Sequence, residues 1–126
     1  MLTGSCLCGK VAYRLAQVPT RTLACHCGQC RRQSGHLWAS APVRDVDFTL
    51  TEDTGLRWYA ASDFAKRGFC QNCGSYLFWK HNDEDQIAVS LGSLNTPTGV
   101  KLQEHIFANH KGDYYEINDT LPQRDA

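Results

Sequence analysis

The sequence has no excess of charge of either sign: Lys plus Arg and Asp plus Glu stand at 13 each. Phosphate backbones are held by a surplus of Lys and Arg, so this balance argues against nucleic acid as a partner. No run of residues approaches the roughly 18 consecutive apolar residues that read as a membrane-spanning helix, so no membrane association is expected. The opening residues, Met1-Leu2-Thr3-Gly4-Ser5-Cys6, lack both a basic stretch and an apolar stretch. No secretory signal is therefore expected, and a cytoplasmic location with reduced thiols follows. Internal repeats, low-complexity tracts and Pro/Ser-rich linkers are also missing, which points to a single domain over residues 1–126. Disorder is excluded by a hydrophobic content of 42% against 21% charged.

Helical periodicity is scarce as well. The pattern is one of short β-prone runs separated by turn residues, which predicts a mainly β fold with little helix. Strands are expected at Val11–Leu15, from Leu37 to a stop at Pro42, and at Asp47–Leu50 and Arg57–Ala60. Further runs cover Ser75–Trp79, Ile87–Leu91 and Tyr114–Ile117. The one helical candidate is Gly28–Ser34. Elements this short bury little surface each, so covalent or metal crosslinks are a sensible supplement to the core.

Against these absences stand seven cysteines. Seven is odd, so a disulfide framework would leave one over. They fall in three clusters: Cys6-Leu7-Cys8-Gly9, Cys25-His26-Cys27-Gly28-Gln29-Cys30 and Cys70-Gln71-Asn72-Cys73-Gly74. Sulfurs one or two residues apart reach a single ion at about 2.3 Å, the zinc–thiolate distance. A glycine after the second cysteine lets the backbone turn tightly and aim amide N–H groups at sulfur. The first and third clusters together make a closed four-thiolate zinc site. The middle cluster offers three thiolates and leaves one tetrahedral position open, as catalytic zinc sites do. Two other readings are compatible with the spacing. A histidine (His26, or more remotely His36, His81, His105 or His110) could close the second site, or Cys27 and Cys30 could pair with Cys70 and Cys73. Two zinc ions held by seven thiolates would give the loaded protein three net negative charges, which weakens the nucleic-acid reading further.

The motifs resemble the glutathione-dependent formaldehyde-activating enzyme family, which also contains centromere protein V. The resemblance is carried by Gly4–Tyr13, by Cys25–Cys30 with Gly35 after it, and by Arg67–Gly74. It continues through Gly92-Ser93-Leu94, His105-Ile106-Phe107 and Leu121-Pro122, nearly the whole chain. It implies a tent-like fold of several small coiled antiparallel sheets. It assigns Cys6, Cys8, Cys70 and Cys73 to a structural zinc and Cys25, Cys27 and Cys30 to a catalytic zinc. The implied activity is that of a carbon–sulfur lyase, adding glutathione to formaldehyde to give S-hydroxymethylglutathione. Two departures bear on the carbonyl partner: Asn95 replaces the usual Asp after Gly-Ser-Leu, and Tyr114 stands where Trp is common.

Thiol chemistry suits such a site. A free thiol titrates near 8.5, so little is nucleophilic at neutral pH, whereas a metal-coordinated thiol is deprotonated. Three thiolate ligands make zinc a weak Lewis acid, which favours holding a small thiol over splitting water. The expected partners are thus a small thiol such as glutathione and a small carbonyl compound. His26, His36 and His105 are candidate proton donors by residue type. Arg31 and Arg32 could meet a glutathione carboxylate, although a solvated basic pair is the plainer reading. Trp38, Trp58, Phe78 and Trp79 are candidate pocket or core aromatics. The rival functions are a non-catalytic interaction module with both zincs structural, and a redox or metal sensor using the three-cysteine cluster. The oligomeric state is left open.

Overall fold

The structure is a computed structural model that describes residues 1–126. It is mainly β, as the sequence pattern predicts, and its strands form two sheets. The smaller sheet has three strands in the order β1 (Leu2–Ser5), β2 (Ala12–Leu15) and β5 (Phe48–Glu52). The larger sheet has seven. Its members are β3 (Leu23–Cys25), β4 (Trp38–Arg44), β6 (Leu56–Tyr59), β7 (Ala65–Cys70), β8 (Tyr76–His81), β9 (Gln86–Ser90) and β10 (Glu104–Ile106). The order across it is β10-β3-β4-β9-β8-β7-β6. Every pairing is antiparallel except β10 on β3, which is parallel. The single α-helix, α1, spans Gly28–Ser34, the predicted interval.

Two sequence expectations fail for physical reasons. Pro42 does not end its strand: β4 runs on to Arg44, with Pro42 opposite Ala88 of β9. On the other side β3 reaches only Ser40, so Pro42 lies where β4 has a free edge and a residue without N–H is tolerated. The run Tyr114–Ile117 forms no strand. Its tyrosines instead turn their hydroxyls onto histidines, Tyr114 onto His36 and Tyr115 onto His26. Strands β1, β3, β7 and β10 lie outside the runs expected from sequence; β3 and β10 have three residues each, too few for a pattern to stand out, and β7 is interrupted by Lys66, Arg67 and Gly68.

The apolar interior is divided in two. One cluster gathers Leu2, Val11, Tyr13, Leu15, Val43, Leu77, Phe78 and Val89 around Cys6 and Cys70. The other, smaller, gathers Leu23 and Trp38 around Cys25 and Cys30, with Tyr76, Trp79, Ile106 and Phe107 packed against it. Each group of cysteines therefore has two members buried in a core of its own. Only 28 of 126 residues are buried, a thin interior that crosslinks would reinforce.

Candidate metal centres

The fold sorts the seven sulfurs into two groups: Cys6, Cys8, Cys70 and Cys73, and Cys25, Cys27 and Cys30. Within each group the sulfurs lie within 4.8 Å of one another. The alternative partition, with Cys27 and Cys30 joined to Cys70 and Cys73, does not form. The first group comes from two turns, one between β1 and β2 and one between β7 and β8. Both turns end on a glycine with positive φ, 85° at Gly9 and 82° at Gly74, a conformation that a side chain would strain. Gly74 N–H donates to the Cys70 carbonyl at 2.8 Å, which closes the second turn. Cys6 and Cys8 sulfurs are 3.7 Å apart, as are those of Cys8 and Cys70. A tetrahedral ion at about 2.3 Å from each sulfur requires an edge of about 3.7 Å, so the four thiols fit zinc. Val11 N–H points at Cys6 Sγ (3.3 Å) and Ser75 Oγ lies 3.2 Å from Cys73 Sγ, supporting charge on both sulfurs.

The second group is built where β3 runs into α1. Cys25 ends the strand, Cys27 is the helix N-cap, and Cys30 is one turn in. The N-cap geometry turns Cys27 Sγ toward the Cys30 N–H, at 3.4 Å. Hydrogen bonds from the Cys25 and Cys30 thiols hold Cys27 far below the range of a free thiol, and the bond with Cys27 pushes Cys25 well above it.

Arg67, from β7, completes this site. Its guanidinium is 4% exposed and makes no salt bridge with any carboxylate. It donates to Gln29 Oε1 and Tyr76 Oη, both at 3.0 Å, and to Cys30 Sγ at 3.6 Å. Three thiolates around a dication would leave one negative charge, which this buried cation would offset. The sequence offered no reason to single out Arg67 beyond its place in a motif, because its anion comes from a segment 37 residues away.

Cys25, Cys27 and Cys30 also line a cavity of about 410 Å³. Its walls are Leu23, Trp38, Pro42, Phe64, Trp79, Ala88, Ile106 and Phe107, and its polar groups include Arg21, Gln29, Ser40 and Arg67. Of the aromatic candidates, Trp38 and Trp79 reach this cavity, Phe78 is core, and Trp58 packs on Phe78 and under Lys66 at the outer strand. None of the candidate proton donors lines it, and neither do Arg31 and Arg32.

His26 is instead buried in a chain of hydrogen bonds that leads away from the cavity. Its Nδ1 meets Tyr115 Oη, its Nε2 lies 2.8 Å from His105 Nδ1, and His105 Nε2 lies 2.9 Å from Asp119 Oδ2. Burial first, then the neighbouring His105, keep His26 neutral by lowering its pKa. His36 binds Tyr114 Oη at 2.7 Å. Asn95 holds β1 through Thr3 Oγ1, at 2.9 Å, so neither departure from the family pattern touches the cavity wall.

The glutathione-dependent formaldehyde-activating enzyme family matches residues 1–110. The chain belongs to that family. Its relatives include an uncharacterized lyase of Schizosaccharomyces pombe, 31% identical over 119 residues, which span 90% of this chain and 83% of that protein. A crystal structure of a Rhodobacter sphaeroides protein superposes with a TM-score of 0.63 at 26% identity, over 79% of this chain and 90% of the other. The family match ends at residue 110, so Tyr115 and Asp119, which hold the buried His26 and His105, and Tyr114, which holds His36, lie beyond it. No helix is long and apolar enough to cross a membrane.

Proposed function

We propose that the protein is a zinc-dependent carbon–sulfur lyase that joins a small thiol of the glutathione type to a small aldehyde, and releases them in reverse. The observation that carries this reading is the three-cysteine cluster, with no fourth protein ligand, set in the wall of a cavity. Family membership and the lyase name of the fission-yeast relative support the same reaction class. Cys6, Cys8, Cys70 and Cys73 would hold a structural zinc, and Cys25, Cys27 and Cys30 a second zinc. When bound, that second ion would supply an open coordination position at which an entering thiol loses its proton.

The chain's own residues supply the rest. Arg67 neutralises the thiolate cluster and lets a further anionic sulfur approach without net repulsion. Arg67 also lines the cavity, so its fixed cation would stabilise charge gained by an aldehyde oxygen as the carbon–sulfur bond forms. The cavity walls exclude water and hold the two reactants together, which replaces a bimolecular encounter with a positioned one. In the reaction a carbon–sulfur bond forms, the carbonyl π bond opens onto oxygen, and the thiol proton ends on that oxygen. Nothing is oxidised or reduced.

The test is spectroscopic. In cobalt-substituted protein, glutathione should change the sulfur-to-metal charge-transfer bands, and S-methylglutathione, which has no thiol, should change them far less. Cys27→Ser should abolish the response while the four-cysteine cluster keeps its metal. A protein carrying two metals that answers to no small thiol would instead be a structural module.

A further inference from the structure

We infer that the aldehyde this site accepts carries an apolar body, a ring or a branched chain, rather than being formaldehyde itself. The inference rests on the thiol–aldehyde reading above and concerns only the carbonyl partner. The cavity is the observation behind it. At about 410 Å³ it falls within the roughly 300–1,000 Å³ of small-molecule sites. Formaldehyde, one carbon and one oxygen, would leave nearly all of it unfilled.

The lining says what fills the space. Trp38, Trp79, Leu23, Ile106 and Phe107 line it, and the exposed Phe64 stands at its mouth. Of the polar groups in the lining, Arg67 and Gln29 are already bonded to each other beside Cys30, while Ser40, Ser62 and Gln86 are uncharged. Arg21 at the rim is paired with Glu104 at 3.3 Å, so its charge is partly spent. Glutathione is the poorer match to these largely apolar walls. Its two carboxylates and its ammonium would lose water against indole and aliphatic walls with few partners in return. Its CH2–SH reaches the sulfurs while its charged backbone stays in solvent. The space beyond is left to the other reactant, and the walls select an apolar one.

The reaction remains balanced with such a substrate. The thiolate sulfur bonds to the aldehyde carbon, the carbonyl π pair moves to oxygen, and the proton released by the thiol is returned there. The product is a thiohemiacetal with the apolar body still seated against Trp38 and Trp79.

Two measurements on the zinc-loaded protein test this. The first reads binding of the body alone, through the fluorescence of Trp38 and Trp79, with benzyl alcohol as a carbonyl-free probe and methanol as its control. Benzyl alcohol should quench saturably, and methanol should not. The second compares benzaldehyde with formaldehyde as partners of glutathione. Benzaldehyde should be favoured in kcat/KM over the uncatalysed reaction by about tenfold or more, since apolar pockets discriminate by about 10–200-fold per methylene.

Ala88→Leu, which fills the cavity from β9, should lower kcat/KM for benzaldehyde relative to formaldehyde and so remove the benzaldehyde advantage. Phe64→Asp at the exposed mouth should weaken benzyl alcohol binding in the same direction, and it needs no repacking of the core. The cobalt response to glutathione separates the two ideas. If that response is intact but benzyl alcohol gives no saturable quench, or the two aldehydes are accelerated equally, the apolar-substrate inference is overturned and the lyase reading stands. If no thiol alters the cobalt bands, the lyase reading falls and takes this inference with it.

Discussion

Arg67 sits buried beside the three-cysteine cluster and would support a metal there without ligating it. A guanidinium stays charged at any pH the protein meets, so burying it demands an anion or a full set of acceptors. Here the acceptors are an amide oxygen, a phenol and a thiol sulfur, and the anion is the cysteine cluster itself. Hydrogen bonds to charged groups contribute about 1.5–3 kcal/mol each. Arg67→Met should therefore lower the zinc affinity of the Cys25–Cys27–Cys30 site by about tenfold or more and leave the four-cysteine site unchanged. Arg67→Lys should recover part of the loss, since it restores the charge but not the planar fork. Competition with a chromogenic chelator measures both affinities on one sample, and equal loss from the two sites would contradict the assignment.

Among the elements, the segment after β10 has the least regular structure and an evident task. It forms no ladder with the sheets beyond an isolated bridge from His105 to Gln123. Besides backbone bonds between His105 and Pro122 and Arg124, it is held by side chains: Tyr115 on His26, Asp119 on His105, Tyr114 on His36, and Lys111 Nζ donating to the Tyr115 carbonyl at 2.7 Å. Because His26 lies between two of the clustered cysteines, this segment braces the loop that carries them. Tyr115→Phe removes one hydrogen bond to a buried imidazole, a loss of about 1 kcal/mol. For a domain of this size the melting midpoint should fall by about 3–5 °C. The same variant should bind zinc more weakly at the three-cysteine site, which chelator competition can follow. An unchanged midpoint and affinity would mean that the segment merely lies on the surface.

At the scale of the whole molecule the two cysteine groups do different mechanical work. Cys6 and Cys8 flank the small sheet, whereas Cys70 and Cys73 follow a strand of the large one, and Cys8 and Cys70 are 62 residues apart. An ion there ties one sheet to the other across a long loop. Cys25, Cys27 and Cys30 lie within six residues of chain, so an ion there closes almost nothing that α1 and β3 have not already closed. Structural zinc contributes on the order of 10 kcal/mol to small domains, whereas a site with one ligand fewer holds its ion less firmly. Mild chelation should thus remove about half the metal first and leave the fold cooperative. Removal of the rest should coincide with unfolding. Metal analysis alongside circular dichroism would show whether the losses come in these two steps.

The local features of this protein were legible in the sequence. The cysteine spacings, the glycines that close both turns and the seven-residue helix are short-range facts, since each depends on the backbone within a few residues. The mainly β character followed from turn-punctuated runs, and the family resemblance from motif order. What joined them was not legible. Spacing alone allowed two partitions of the sulfurs, and only the approach of the β1–β2 turn to the β7–β8 turn decided between them. The cavity draws its walls from β3, β4, β8, β9 and β10, whose residues are far apart in the chain, so no window of sequence contains it. The histidines and the Arg31–Arg32 pair were singled out by residue type, and the fold turned them away from the cavity. It placed Arg67 there instead, because a buried cation settles beside the anion the tertiary structure brings to it.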